Sequence, residues 1–406
     1  VHQEGIIFPP SKYNMDHDWN GGPLERLVRA NIRVPDQTIG DFNAQFAANG
    51  IGGGRVMDLC ARFGADVVIE AMDELLDYSE RRMRAAIREL PDGVYEGEDF
   101  LDDDGITDEP LRVQARVEIK GDSVIVDYEG TCDQVLTNVN CPYASTVAAG
   151  LSCVKAVLTS PDIPFNEGSK RAIEVRAPYG SLLNPRRPAP VRARMLSAYR
   201  AYNAVMKALA PSAPDKVIAA GFDSTEIIVL SQLKQDGYAI YLEIMGGGFG
   251  ASDHGDGCDA VDSPLSNCSN VPVEAMDMEY DYFRVEDYSL VQDSGGAGRY
   301  RGGLGFQRRY HILGDGVTFA TYSDRFRLAP QGLFGGADGV CASTQVLRGD
   351  EVIQLASKTS FALNKGDILV IRTGGGAGYG ARSERAPGDV ERDLREGFVS
   401  RAEAAE

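Results

Sequence analysis

Apolar residues recur at helical spacing through the first ninety residues of the chain. Residues 24–32 and 42–47 each show this period, and the glycine-rich run at 50–54 is expected to end the second of these helices. A third short helix should then reach Phe63. The longest helix is predicted over residues 66–90, where an apolar stripe alternates with Glu and Arg residues suited to a solvated face.

Beyond residue 93 the period changes from helical to alternating. The stretches GVYEGEDFL and LRVQARVEIKGDSVIVDYEG alternate apolar and polar residues across a Gly-Asp turn, which predicts an antiparallel hairpin with one buried face. Buried helices are expected at residues 143–159 and 195–210, with a short strand at 173–176 between them. Strands are predicted at residues 227–232 and 238–244.

The last part of the chain is predicted to be mostly strand. FQRRYHIL, GVTFATYSD, VCASTQVLRGDEVIQL and GDILVIRT follow one another through Gly and Asp turns. We therefore expect an α+β fold, in which an N-terminal helical region packs on large, mainly antiparallel or mixed β-sheets and the C-terminal half is β-rich. The expected regions are 1–92 (helical), 93–290 (mixed), 291–380 (β-rich) and 381–406 (a charged, helical tail).

Composition narrows the classes of protein that fit. The formal net charge of −19 excludes a nucleic-acid binder, which requires a basic face. No window is apolar enough to span a membrane, so no membrane partner is expected. The seven cysteines are scattered and never spaced as CxxC, and the first residues lack a signal-peptide pattern. These features favour a reducing compartment, and we expect a cytoplasmic protein.

Two glycine-rich loops concentrate the candidate chemistry. They read GGGFGASDHGDGCDA at residues 246–260 and DSGGAGRYRGGLG at 293–305, and the first follows a predicted strand. Glycine allows a backbone to approach a ligand closely, so Gly247 and Gly248 are candidate substrate-binding residues; crowded turns are the alternative. Neither loop has the Lys-Ser/Thr of a P-loop, and no GxSxG elbow accompanies the four histidines.

His254 is the candidate catalytic residue. Asp253 and Asp256 flank it, and a carboxylate that orients an imidazole raises its basicity, as a general base or a metal ligand requires. The alternative is an ordinary exposed histidine in a loop. The acidic run DDD at residues 102–104 suggests either a cation site or a solvated turn.

Four further side chains are candidates for substrate binding. Asn166 and Glu167 offer a carboxamide and a carboxylate in a turn, where a capping role for the Asn is the alternative. Arg299 and Arg301 of the second glycine loop offer bidentate donors to an acidic group of a substrate. For these two arginines, structural ion pairs with the many Asp residues are the alternative.

Several motifs together resemble one known family. QEGIIFPP, NIRVPDQTIGDFNAQ, NEG at 166–168, NPRRPAPV at 184–191, GGGFG, NVPVE at 270–274 and DSGGAGRYRGGLG at 293–305 are similar to motifs of the hydantoinase B/oxoprolinase family. The similarity extends over residues 3–380. The family includes B-type subunits of ATP-dependent hydantoinases and lactamases, part of 5-oxoprolinase, and subunits of ketone carboxylases.

The resemblance implies a division of labour between subunits. A hydantoinase A-type partner would bind ATP and Mg²⁺ and phosphorylate the substrate, and the B-type subunit would complete ring opening of a hydantoin, lactam or 5-oxoproline. A hetero-oligomer is therefore expected, and the subunit should be inactive alone. The alternatives are a subunit of an acetone- or acetophenone-type carboxylase, or a non-catalytic scaffold fragment of such a complex.

Two departures from the family pattern qualify these expectations. The family's upstream His- and Asp-containing blocks look like ligands for a divalent metal such as zinc, iron or manganese, and this sequence lacks them. We therefore expect no metal ligands on this chain and the missing segment possibly on a separate polypeptide. Where the family more often has Arg after GGGxGA, this chain has Ser252, a further candidate substrate-binding residue.

Overall fold

The computed structural model describes residues 8–405 except 33, 160, 161, 236, 263, 267 and 269. Within these residues the chain forms ten α-helices, one short 3₁₀ helix at Arg382–Glu384 and thirteen strands. The helices are α1 (Met15–Asp18), α2 (Pro23–Asn31), α3 (Pro35–Phe63), α4 (Ala65–Ile87), α5 (Tyr143–Leu158), α6 (Glu167–Lys170), α7 (Arg194–Leu209), α8 (Val273–Glu279), α9 (Pro387–Glu396) and α10 (Arg401–Ala405).

The strands follow in the same chain order. They are β1 (Gly93–Leu101), β2 (Leu111–Lys120), β3 (Ser123–Asp127), β4 (Ile173–Arg176), β5 (Glu226–Lys234), β6 (Gly237–Met245), β7 (Phe283–Leu290), β8 (Phe306–Ile312), β9 (Val317–Tyr322), β10 (Ser343–Arg348), β11 (Glu351–Leu355), β12 (Lys358–Leu363) and β13 (Ile368–Arg372).

The glycine run at 50–54 does not break a helix, and this prediction is wrong. Helix α3 continues through it as one element of 29 residues. Each glycine weakens a helix by about 1 kcal/mol relative to alanine but does not remove a backbone hydrogen bond as proline does. The helix ends instead at Gly64, whose φ of 89° is not helical, and α4 confirms the predicted long helix.

The first sheet confirms the predicted hairpin. Its order is β1-β2-β3-β4, with antiparallel pairing except for β4, which runs parallel to β3 after the crossover through α5. Alternate residues of β2 are buried, as its sequence pattern requires. Helices α5 and α7 pack together, and α7 also lies on β1 and β2, so these elements enclose the main core.

Two further sheets form the C-terminal half. Their orders are β11-β10-β13-β8-β7 and β12-β9-β5-β6, all antiparallel, and a second core rich in Tyr and Phe lies between them. The fold is α+β, as predicted. Both of these sheets join strands from before and after the predicted boundary at residue 290, and the region boundaries given above stay predictions.

The end of the chain is helical. The 3₁₀ turn, α9 and α10 follow a third glycine-rich run, GGGAGYG at residues 374–380, and Asp393 of α9 is buried. Of the helices in the described part of the chain, none is both long and apolar enough to span a bilayer.

Candidate functional site

The two glycine-rich loops pack against each other and against the run at residues 374–376 through their backbones. The amide of Gly248 donates to the carbonyl of Gly374 at 2.9 Å, and the amide of Gly376 donates to the carbonyl of Gly303 at 2.8 Å. A Cβ on Gly248 would lie 1.9 Å from the Gly303 oxygen. Only glycine allows three chain segments to pack this closely, so the residue type is required by packing.

Gly247 and Gly248 therefore have a structural explanation. Both are buried, and a Cβ on Gly247 would lie 2.6 Å from the Phe222 ring. Their amides donate to the carbonyls of Val261 and Gly374, so neither amide is free to bind a substrate. The ligand-binding role of these two glycines stays a prediction. In the structure they form the packed layer beneath the adjoining loop, which we call its glycine floor.

That loop, residues 252–256, presents His254 to solvent. The imidazole is exposed, and among the described residues no side chain forms a hydrogen bond with it; the amide of His254 donates to the Ser252 hydroxyl at 3.3 Å. Asp253 contacts Arg299 at 3.5 Å rather than the imidazole. Neither neighbouring carboxylate therefore orients the His254 imidazole in the way that the sequence predicted. The catalytic role of His254 stays a prediction.

Asp256 is the anchor of the loop. Its two oxygens accept from Arg385 at 2.7 and 3.0 Å, and one also accepts from Arg392 at 2.7 Å. Burial disfavours the ionised form of Asp256, but the hydrogen bonds from Arg385 and from the Arg301 amide outweigh burial and lower its pKa. A carboxylate neutralised in this way is a weak base and a poor metal ligand.

The two arginines of the second glycine loop form ion pairs, as the alternative interpretation expects. Arg301 is buried, and its guanidinium lies 3.1 Å from Asp259. Arg299 is half exposed and reaches Asp253. Arg301 therefore fixes the loop, whereas Arg299 lies at the surface against Asp253, where a weak ion pair can exchange for a ligand.

Asn166 and Glu167 lie in a different place. Asn166 caps α6 by accepting from the amide of Ser169 at 3.3 Å, and it donates to Ser79 of α4 at 2.9 Å. Glu167 pairs with Lys170 at 3.0 Å. The capping alternative is observed, and these hydrogen bonds tie the pair to α4 and α6 rather than to the glycine loops. Their substrate-binding role stays a prediction.

A surface cavity of about 480 Å³ borders the second glycine loop. Gly298 and Arg301 form one side, and the C-terminal segment supplies Arg382, Arg385 and Asp393 on the other. The guanidinium groups of Arg382 and Arg385 already pair with Glu403 and with Asp256 and Asp393. The cavity is a cleft between two packed elements in which most charges pair internally, while Nε of Arg301 and Oδ1 of Asp393 have no hydrogen-bond partner among the described residues.

A buried ionic cluster between α7 and the sheets was not predicted from the sequence. Asp99 of β1 accepts from Arg325 at 2.7 Å, from Asn203 at 3.0 Å and from Arg200 at 3.2 Å, and Lys207 lies 3.4 Å away. Burial alone would raise the pKa of Asp99, but the cations outweigh it and hold the pKa far below its usual range. No local signal identifies this cluster, because its members are far apart in the chain.

The acidic run at 102–104 is likewise used for packing. The carboxylate of buried Asp102 accepts from the amides of Phe326 and Leu328 at 2.6 and 2.9 Å, and Asp104 accepts from the amide of Thr107 at 2.7 Å. Within the described ranges, no group of three His, Cys, Asp or Glu side chains is arranged to hold a metal ion. The donor set around His254 does not fit a divalent metal, because arginines occupy its carboxylates.

Comparisons with known proteins agree with this architecture. The family model described as hydantoinase B/oxoprolinase matches residues 1–382. A putative D-/L-hydantoinase B subunit from Pseudomonas sp. strain NS671 is 36% identical over 418 residues, covering 100% of this chain and 70% of that protein. The caprolactamase beta subunit of Pseudomonas jessenii is 30% identical over 420 residues, covering 98% of this chain and 70% of that protein.

Solved structures show the same fold. The crystal structure of ATP-dependent caprolactamase from Pseudomonas jessenii superposes with a TM-score of 0.86 at 27% identity, covering 99% of this chain and 71% of that one. An acetone carboxylase superposes with a TM-score of 0.82 at 17% identity, over 94% of this chain and 58% of that one, which shows a shared fold alone. This chain is a member of the hydantoinase B/oxoprolinase family.

Proposed function

We propose that this chain is the B-type subunit of an ATP-dependent hydrolase that opens cyclic amides. The observation that carries the proposal is its similarity, along nearly its whole length, to a putative hydantoinase B subunit and to the ATP-dependent caprolactamase fold. The substrate class is then a hydantoin, a lactam or 5-oxoproline. The carboxylase alternative rests on a fold shared at 17% identity.

The chemistry explains why such an enzyme needs ATP and a second subunit. A cyclic amide is stabilised by resonance, and transfer of a phosphoryl group to its oxygen makes the carbon open to attack by water. We place ATP and Mg²⁺ on an A-type partner, so this chain would receive the activated substrate. The chain would be inactive alone because it lacks the activating step.

Within this proposal the loop at residues 252–256 faces the reacting substrate. His254 is the exposed base, Ser252 and Arg299 bind polar groups of the substrate beside it, and Asp253 competes for Arg299 until the substrate arrives. Asp256 and Arg301 hold the loop to its glycine floor. A divalent metal of the complete enzyme is proposed to lie on other residues, since this loop does not fit one.

Reconstitution tests the proposed function. The chain is co-expressed with an A-type subunit and assayed for ATP-dependent opening of hydantoin, caprolactam and 5-oxoproline, and in parallel for bicarbonate-dependent consumption of acetone and acetophenone. Ring opening that requires ATP and both subunits is expected. Consumption of a ketone with bicarbonate, and no ring opening, would instead establish the carboxylase alternative.

A further inference from the structure

The cleft between the second glycine loop and the C-terminal segment has a locally positive lining. Its volume is about 480 Å³, which is within the range of pockets that hold small molecules. The charged side chains that line it are three arginines and two acids, namely Arg301, Arg382, Arg385, Asp393 and Glu403. This excess of one cation contrasts with the formal net charge of −19 of the whole chain, and it favours an anionic ligand.

Backbone amides of the second glycine loop supply unused hydrogen-bond donors. The amides of Gly295, Ala297 and Gly298, residues that all line the cleft, form no hydrogen bond with any residue that the structure describes. Gly298 is buried, and a buried amide without an acceptor is rare in a folded protein. Three such donors in one wall indicate a ligand that carries oxygen acceptors.

Arg382 shows which anionic group the cleft can accept. Its guanidinium lies 3.2 Å from the carboxylate of Glu403 in α10, and it also donates to the carbonyl oxygen of Glu403. The two side chains are 36% and 40% exposed, so water screens this ion pair and makes it weak. None of the five residues of α10 is buried. A carboxylate from outside the chain can therefore replace the Glu403 side chain on Arg382.

Most of the other side chains that line the cleft are apolar. Val390, Val399, Ala404 and Ala405 belong to this group. The cleft is larger than a carboxylate alone requires, and a short hydrocarbon chain in it would remove these side chains from water. The lining as a whole therefore matches a molecule that has a carboxylate, a short apolar chain and a second oxygen acceptor.

We propose that the cleft binds a small organic acid. One carboxylate of the acid pairs with Arg382 in the place of Glu403, and a second oxygen accepts from the free amides of Ala297 and Gly298. Glu403 is then an internal competitor that occupies Arg382 when no acid is bound. Binding requires neither ATP nor a partner subunit, so a negative result would leave the proposed function untouched.

Isothermal titration calorimetry of the full chain tests the site with glutarate, which has a carboxylate at each end of a short hydrocarbon chain. Glutarate should bind to the wild type at millimolar concentrations, whereas glutaramide, its neutral counterpart, should not. Arg382→Gln should weaken glutarate binding about tenfold or more, because a charge-assisted hydrogen bond is lost. Glu403→Gln should strengthen it about threefold, because the competing charge is removed. Arg395→Gln and Glu391→Gln, at exposed positions of α9 that do not line the cleft, are the matched controls and should leave the affinity unchanged.

A substitution that fills the cleft is an independent test. Ala404→Phe places a ring in the cleft and should abolish glutarate binding, whereas Ala402→Phe, at an exposed position of the same helix that does not line the cleft, should not. Thermal unfolding of each variant checks that the fold is retained. Glutarate binding that either Arg382→Gln or Ala404→Phe leaves unchanged would overturn the proposal. So would equal binding of glutaramide, binding that Glu403→Gln weakens, or no binding of glutarate to the wild type and to Glu403→Gln.

Discussion

The ionic cluster around Asp99 and the loop around His254 both gather charged residues, yet they differ in what surrounds them. Asp99 is buried, and three cations and an amide surround it. His254 is exposed, and its flanking carboxylates point to arginines. The carboxylate of Asp99 is occupied by its partners, and removing it would leave buried cations uncompensated. An exposed polar group such as the His254 imidazole can still act on a ligand.

The largest effect is expected when the buried cluster is broken. Asp99→Ala leaves Arg200 and Arg325 buried without their shared anion and should lower the free energy of unfolding by about 3 to 5 kcal/mol. Urea denaturation followed by circular dichroism measures the change, with Asp350→Ala at an exposed turn as the control. A loss below about 1 kcal/mol would contradict a structural role for the cluster.

The glycine floor of the loop is expected to be nearly as sensitive. Gly248→Ala places a methyl group where the Gly303 carbonyl lies and should destabilise the protein by about 3 kcal/mol. Gly255→Ala is the matched control in the same segment, because a Cβ there meets nothing within 4 Å. Equal stability of the two variants would show that the backbone can adjust and that packing does not explain the glycines.

A substitution in the exposed loop at residues 252–256 should change the activity of the enzyme and leave its stability unchanged. In the assembled enzyme, His254→Ala should reduce turnover by about 10², the usual contribution of a general base, while its melting temperature stays that of the wild type. His17→Ala, at an exposed histidine of α1, is the control. Turnover close to that of the wild type would leave His254 an ordinary surface residue.

Glu226 offers a test with the smallest effect per step, about 1.4 kcal/mol for each pH unit, at a buried carboxyl that lacks a cation in the described structure. Burial raises its pKa to about 8, opposed only by a contact with Thr344. The folded state therefore keeps a proton that the unfolded chain releases above its ordinary pKa of 4.5. Its contribution to stability is complete below pH 4.5 and is lost as pH rises to about 8.

The comparison with Glu226→Gln isolates this effect. The free energy of unfolding of the wild type minus that of the variant should fall by about 1.4 kcal/mol for each pH unit within this interval. Urea titrations at pH 5, 6 and 7 measure the difference. A difference that does not change with pH would mean that Glu226 is already ionised in the folded protein.

The sequence predicts the regular elements well, because period and turn chemistry are local properties. The hairpin of β1 and β2 follows from alternation, and α4 follows from its apolar stripe. The break predicted at residues 50–54 fails because glycine weakens a helix without removing its hydrogen bonds. The motifs were sufficient to identify the family.

The site was less predictable, because side-chain partners are distant in sequence. Arg325 binds Asp99 across 226 positions, and Asp256 binds Arg385 across 129. A glycine-rich loop also has the same sequence signature whether it approaches a ligand or another backbone. Only the packing of Gly248 against Gly303 and Gly374 distinguishes the two cases.

The claim that this chain completes an ATP-dependent ring opening is tested most directly by comparing the ADP and the ring-opened product that the reconstituted complex forms. Ring-opened product and ADP are measured together for the A-type subunit alone, for the pair, and for the pair that carries His254→Ala. We expect product only when this chain is present, and a rate about 10²-fold lower in the variant. Ring opening by the A-type subunit without this chain, or by the pair without ATP, would contradict the account.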